Sequence, residues 1–411
     1  MIKKIVLSVL LLSISFSYAQ ESTSSPYSFY GLGIQKFRGT IANVSMGGIT
    51  TYSDPVTANI QNPALYGDID LTTFAVGGTY NSTSLKTNEG ESNAKITSFD
   101  YLAISIPTKI FGFGLGIIPY RSLGYDVTTN SGNERTELTG EGNVSRVYLG
   151  VGAKIYKGLK IGAEFQYNFG RLKNETILFP QTDNNTREIL QSDISGVSYT
   201  ISAVYDANIN EEKLFRASVI YSISGDLKSE NTRQLAGIAQ GSNGRTATAQ
   251  RLIEVPTKQF QVPSRYTFGV GLLHKSKWYL GSEFFVQENN DYQDRFRERP
   301  GVLYTDAFGV KMGGYFVPKF NSLTNYLERM TYRAGIRYET LGLSLEGTEI
   351  NEFGISFGVS LPMAQGYSTL DLGAELGSRG TTAGGWTKEN FINFSVGLSL
   401  SDKWFKKRKF N

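Results

Sequence analysis

The sequence predicts an all-β membrane protein: a transmembrane antiparallel β-barrel of about fourteen strands, with an N-terminal hatch folded into its lumen. Three observations lead there. The chain opens with an export signal. It then repeats stretches in which every second residue is large and apolar, and it has no run approaching the ~20 apolar residues of a membrane helix.

In the signal, Lys3 and Lys4 form a basic start, 5–16 an apolar core, and Ser17-Tyr18-Ala19 a small-x-small cleavage site before Gln20. Residues 1–19 are therefore expected to be removed. The chain has no cysteine, which excludes a lipobox, disulfides, thiolate metal sites and a cysteine nucleophile. Hydrophobic residues make up 40% of the chain, with 45 Gly, 24 Tyr and 25 Phe. Such a composition suits a wall that shows only alternate residues to lipid. The formal charge of +4 is too small and too evenly spread for a nucleic-acid partner.

Next comes 20–70, the expected hatch. Its stretch 40–65 has neither helical nor alternating period, yet carries Val44, Met46, Ile49, Tyr52, Val56, Ile60 and Leu65. Free in water it would bury too little to offset its ordering entropy. Enclosed by a barrel, it can be ordered.

The barrel itself is expected over 71–402. Along 159–170, Leu159, Ile161, Ala163, Phe165, Tyr167 and Phe169 alternate with Lys, Gly, Glu, Gln, Asn and Gly. The same period marks 147–155, 353–361, 370–376 and 391–400. It predicts strands at roughly 71–85, 94–107, 110–125, 140–156, 159–174, 192–206, 214–228, 255–275, 277–290, 304–316, 329–340, 352–362, 367–378 and 389–401. A secreted sandwich would alternate equally well with its faces reversed, but the joins favour the barrel. Mostly short joins, such as 107–109 and 156–158, alternate with mostly longer polar ones, such as 121–142, 174–192 and 228–254. That is the pattern of periplasmic turns and external loops. Tyr156, Tyr205, Trp278, Tyr279, Phe316, Tyr326, Tyr332, Tyr367, Trp404 and Phe405 gather near the short-turn ends, where an interfacial girdle is expected. The tail 403–411 carries Lys403, Lys406, Lys407, Arg408 and Lys409, suited to anionic headgroups or an acidic periplasmic partner, or simply to solvent.

Met46-Gly47-Gly48, Tyr52-Ser53-Asp54-Pro55 and Asn62-Pro63-Ala64-Leu65 together resemble the hatch of the FadL/TodX outer-membrane transporter family. Val262-Pro263-Ser264-Arg265-Tyr266-Thr267-Phe268-Gly269 and 353–408 are similar to Bacteroidetes-type relatives of that family. The resemblance implies a bacterial outer-membrane location and an N-terminal segment tucked inside the barrel. It also implies gating roles for Gly47, Gly48, Asp54, Asn62, Pro63 and Ala64.

Catalytic chemistry is not expected. Gly354-Ile355-Ser356-Phe357-Gly358 matches a nucleophile elbow in letters, but lies inside an alternating strand rather than a strand-to-helix turn. The sole histidine, His274, sits by a short turn with no adjacent carboxylate. Metal ligands and cofactors are not expected; Asn289-Asn290-Asp291 and Asp294 read as a solvated loop rather than a calcium site. Arg265, Glu283, Arg333, Arg337, Glu339, Asp371, Glu375, Lys154 and Glu164 fall on the lumen face. Mixed in sign, they read first as cross-linking ion pairs, with Arg265, Arg333 and Arg337 as alternative contacts for a ligand carboxylate.

The family likeness implies passive uptake of hydrophobic compounds, of long-chain fatty acid or aromatic hydrocarbon type, by hatch movement and lateral release. The expected partners are then outer-membrane lipid and a hydrophobic small molecule. The polar external joins lack a greasy capture groove, which supports the alternative of a non-transporting barrel subunit of a larger envelope complex. PorV-type relatives in type nine secretion are barrels of that kind.

Overall fold

A computed structural model describes residues 23–53, 59–132, 134–180, 185–241, 244–289, 296, 299–363 and 367–403. The predicted signal 1–19 and most of the basic tail lie outside these residues. The strands form one closed antiparallel barrel of fourteen. They are β1 (Thr72–Lys86), β2 (Glu91–Pro107), β3 (Phe111–Ser131), β4 (Glu134–Tyr156), β5 (Leu159–Phe179) and β6 (Asn185–Asn208). Next come β7 (Lys213–Ile223, then Gly225–Gly241), β8 (Gly244–Glu254, Lys258–Val262 and Arg265–His274) and β9 (Trp278–Gln287). The circuit is completed by β10 (Val302–Tyr304 and Ala307–Phe316), β11 (Thr331–Leu345), β12 (Thr348–Pro362), β13 (Thr369–Arg379) and β14 (Lys388–Asp402). β14 pairs with β1 from Lys388↔Lys86 to Asp402↔Thr72, which closes the ring and removes both sheet edges there.

The faces follow the alternation. Phe165, Phe394 and Val396 are 45%, 55% and 53% exposed, with their rings and branches turned outward toward lipid. On β5 the outward series Ile161, Ala163, Phe165, Tyr167, Phe169 gives way to Arg171, which pairs with Asp193, and then to Lys173, which pairs with Glu141. That apolar band covers about the 9–11 residues a barrel strand needs to cross hydrocarbon. Above it the strands run on in water. The stretches read from sequence as long external loops (121–142, 174–192 and 228–254) are in fact mostly strand. Beyond the lipid neither face need be apolar, so the period that reveals a strand fades while its hydrogen-bond ladder continues.

One break interrupts the wall. β2 and β3 pair only from Leu102↔Ile117 to Pro107↔Gly112. Above that level β3 keeps its ladder with β4, whereas the flank facing β2 is unpaired by strand hydrogen bonds. Pro119 sits at the break, next to a bulge between Pro119 and Arg121. Proline cannot donate to a ladder and so belongs on an edge. The break is covered by the N-terminal segment: Ile34 and Gln35 pair antiparallel with Ser122 and Arg121, and Lys36 N donates to Tyr120 O at 3.1 Å.

Candidate functional site

The described residues of 23–71 pack against the inner faces of the strands. The described segment begins at the external rim, where Ser25 donates to Glu389 and Tyr27 Oη to Thr387 O. A one-turn helix, Ile41–Val44, is capped by Thr40, whose hydroxyl accepts from Asn43 N. A 3₁₀ stretch, Pro63–Asp68, then leads down to β1.

Small wall residues allow this close approach. Met46 and Gly47 lie so near Gly313 and Gly335 that a Cβ at either wall glycine would collide with their backbone. Pro63 and Ala64 lie equally close to Gly152 and Gly162, and Ser45 to Gly358. The Gly-and-polar face read from the sequence is therefore a packing face for backbone as well as a solvated one.

The expected gating residues fall as follows. Gly47 and Gly48 hold φ of +74° and +76°, a left-handed conformation that admits glycine without strain. Gly47 N donates to Ser356 Oγ at 2.9 Å, so the serine of the elbow-like sequence is a plug contact. Asn62 is fully buried, and its side-chain amide has no hydrogen-bond partner among the described residues. Pro63 and Ala64 are buried, and Ala64 N donates to Ser202 Oγ at 2.8 Å. Asp54 lies outside the described residues.

Charge fixes the segment at three levels. Arg38 reaches Glu339 and forks onto Glu352 at 3.0 and 3.1 Å. Glu283 takes the backbone N–H and hydroxyl groups of both Thr50 and Thr51 on one oxygen. Asp68 meets Lys160 at 2.5 Å, Arg216 at 3.1 Å and Lys154 at 3.5 Å. Burial alone would raise the Asp68 carboxyl, but Lys160 and Arg216 outweigh it and hold it below the usual carboxylate range.

The three candidate ligand arginines divide. Arg337 is saturated by Glu375, Glu339 and Glu352, and Arg333 contacts Ser360 and Asp371. Arg265 is different: it stacks over Phe285 at 3.7 Å and, among the described residues, donates only to Gln35 Oε1, at 3.3 Å. Cavities of about 80, 90 and 130 Å³ lie between segment and wall, and charged and amide side chains figure in the lining of each.

Other expectations need adjusting. Tyr279 is not in the outer girdle; it points inward and packs its ring 5.4 Å from that of Tyr52. His274 does find a carboxylate, Glu212 at 3.3 Å, on the surface and away from any nucleophile contact among the described residues. No group of metal-ligating side chains occurs among the described residues. Sequence reading missed the seam and its cover at 34–36, although Pro119 inside a predicted strand was a signal for it.

A sequence model of the BamG family matches residues 1–411. No curated protein matches the chain. Among solved structures, a Pseudomonas aeruginosa FadL homologue superposes with TM-score 0.60 at 12% identity, covering 90% of this chain and 99% of its own. The Pseudomonas putida toluene transporter TodX gives 0.59 at 15%, covering 89% and 98%. The Ralstonia pickettii toluene transporter TbuX gives 0.56 at 13%, covering 88% and 98%. These likenesses establish the FadL-like outer-membrane barrel fold.

Proposed function

The chain belongs to the BamG family, and from that membership together with its filled interior we propose that it works as a plugged, non-transporting barrel subunit of a larger outer-membrane complex of the secretion or assembly kind. The observation that carries this is the three-level anchoring of residues 23–71. Breaking one partner of a buried charge pair costs about 3–5 kcal/mol. Arg38 is partly exposed and Thr50–Thr51 are held by hydrogen bonds to a charge, so freeing Arg38 (about 2–3 kcal/mol), Thr50–Thr51 (about 1.5–3) and Asp68 (about 2) together would cost roughly 6–8 kcal/mol. A ligand would have to supply that as differential affinity, more than the ~5.5 kcal/mol that swings an equilibrium from 1:99 to 99:1. Nor do cavities of 80 to 130 Å³ approach the ~300–1,000 Å³ of ordinary small-molecule sites. The plug is then a fixed part of the wall, and the outer strands and periplasmic turns are the working surface. Purification in mild detergent followed by mass spectrometry tests this: other envelope proteins are expected in stoichiometric yield, and recovery of the barrel alone would count against it.

A second reading, uptake of hydrophobic compounds by plug movement and lateral release, is favoured by the seam between β2 and β3. In that reading 34–36 is the cover that withdraws, with Gly47, Gly48 and Asn62–Ala64 following. The chain has no cysteine, so Ile34→Cys with Ser122→Cys would tether cover to wall. Uptake that fails on oxidation and returns on reduction supports the channel. Undisturbed uptake and unchanged complex recovery support the fixed plug.

A further inference from the structure

We propose that the largest of the internal cavities is a binding site for a small hydrophilic oxyanion of phosphate or sulfate size. It has about 130 Å³ and lies between the plug and the inner faces of β4–β10, with Arg146, Arg265 and Lys311 in its lining. These three differ from most of the other lumen cations. Arg38, Lys160, Arg216, Arg333, Arg337 and Arg379 each have a carboxylate within 4 Å. Arg146 donates to Asn168 Oδ1 at 2.8 Å and lies 3.8 Å over the Tyr120 ring; Arg265 has Gln35 and Phe285; Lys311, 6% exposed, donates to Gly48 O at 2.8 Å. Among the described residues none of the three makes an ion pair.

A single carboxylate, Glu164, shares the lining. Its Oε1 accepts from Gln166 at 2.6 Å, and the buried Tyr66 hydroxyl is a neighbour of the same carboxylate. Glu283 and Glu339 lie nearby but beyond ion-pair distance of Arg265 and Lys311, so three cations face the cavity with no carboxylate in direct contact among the described residues. Buried charge of that kind is stable when paired. Guanidinium groups offer forked donors matched to tetrahedral oxyanions, and an ammonium adds a point charge. Ser222, whose hydroxyl oxygen accepts from Thr200 at 3.2 Å, adds a hydroxyl donor on the same lining. The volume admits an ion of a few heavy atoms. Gln35, Pro263, Arg265 and Gln287 also line the neighbouring cavity of about 80 Å³, which extends to Tyr30, Asn289 and Tyr304 and carries Arg38, Arg121, Glu339 and Glu352 in its lining.

The test uses the full mature barrel in a non-ionic detergent, with its melting temperature followed in potassium phosphate, sulfate or chloride at equal ionic strength. Phosphate and sulfate are expected to give a saturable rise that chloride does not. In Arg146→Gln/Arg265→Gln the half-saturating concentration should increase at least tenfold, and in chloride this variant should melt no lower than wild type, since two buried cations without an ion pair have gone. Lys311→Met provides the same reading should the double variant misfold. Identical melting in all three salts overturns the proposal. So does a rise retained by both variants, or one produced by octanoate and not by phosphate, which would mark an amphiphile site instead.

Discussion

Replacing Arg38 by Gln asks whether charge holds the plug. Arg38, with Arg337 and Arg379, faces Glu339, Glu352, Glu375 and Glu389 in one connected network, three guanidiniums against four carboxylates. Arg38 is the only member contributed by the plug. Its loss leaves Glu352, whose side chain is 1% exposed, with two arginines in place of three. A fully buried broken pair would cost about 3–5 kcal/mol. Arg38 is itself 17% exposed and its partners keep Arg337, so the expected loss is about 2–3 kcal/mol. The assay is thermal or urea unfolding in detergent, read by the shift between compact and unfolded bands on a gel, alongside trypsin cleavage within 23–71. Glu352→Gln in the same chain should recover about 1–2 kcal/mol of coupling. Wild-type stability in Arg38→Gln, or strict additivity in the double variant, would refute the view that this network anchors the plug.

Asp68→Asn should lower stability by about 2 kcal/mol at neutral pH, because charged hydrogen bonds are worth roughly 1.5–3 kcal/mol. The Asp68 carboxyl is held below its ordinary range, so its contribution is complete above the unfolded pKa of about 3.9 and fades as pH falls through the lower folded value. The gap between wild type and Asp68→Asn should therefore close in acid; a constant gap would show that charge is not its source. Gly335→Ala would drive a Cβ into the Met46–Gly47 backbone and should cost about 1–3 kcal/mol, whereas Gly90→Ala, which meets nothing within 4 Å, should be neutral by the same unfolding assay. Ile34→Cys/Ser122→Cys, whose Cα atoms are register partners, should form a disulfide in the folded barrel; a persistently reduced pair would place 34–35 away from β3.

What the sequence made legible was set by lipid. Within the apolar band the two faces of every strand meet opposite solvents, so Ile161, Ala163, Phe165, Tyr167 and Phe169 announce a strand and its orientation together. Above the band that contrast ends, and Arg171, Lys173 and Glu175 carry no period though their ladder with β4 and β6 is unbroken. Lumen charges were legible as a set but not as pairs. Arg333 and Arg337 look equivalent to Arg265 on paper, and only the register of β11 against β12 and β13 brings carboxylates to the first two while leaving Arg265 beside Phe285.

The wall glycines and the seam have a common physical origin. A strand whose inner face is glycine lets another backbone lie against it, and Gly152, Gly162, Gly313 and Gly335 make room for Pro63–Ala64 and Met46–Gly47 in this way. Contact at that distance fills the lumen, so few of the plug's own polar groups can be hydrated. They must be bonded to the wall, as Gly47 N is to Ser356 and Ala64 N to Ser202. Where β3 lacks β2 as a partner the same requirement runs the other way: its free backbone groups need bonds, and Ile34–Lys36 supply them. Plug and wall therefore complete each other's hydrogen bonding, and withdrawing 34–36 would leave both the segment and the β3 edge unsatisfied at once. For a moving gate that is a double penalty, and for a permanent seal it is the reason the barrel stays closed.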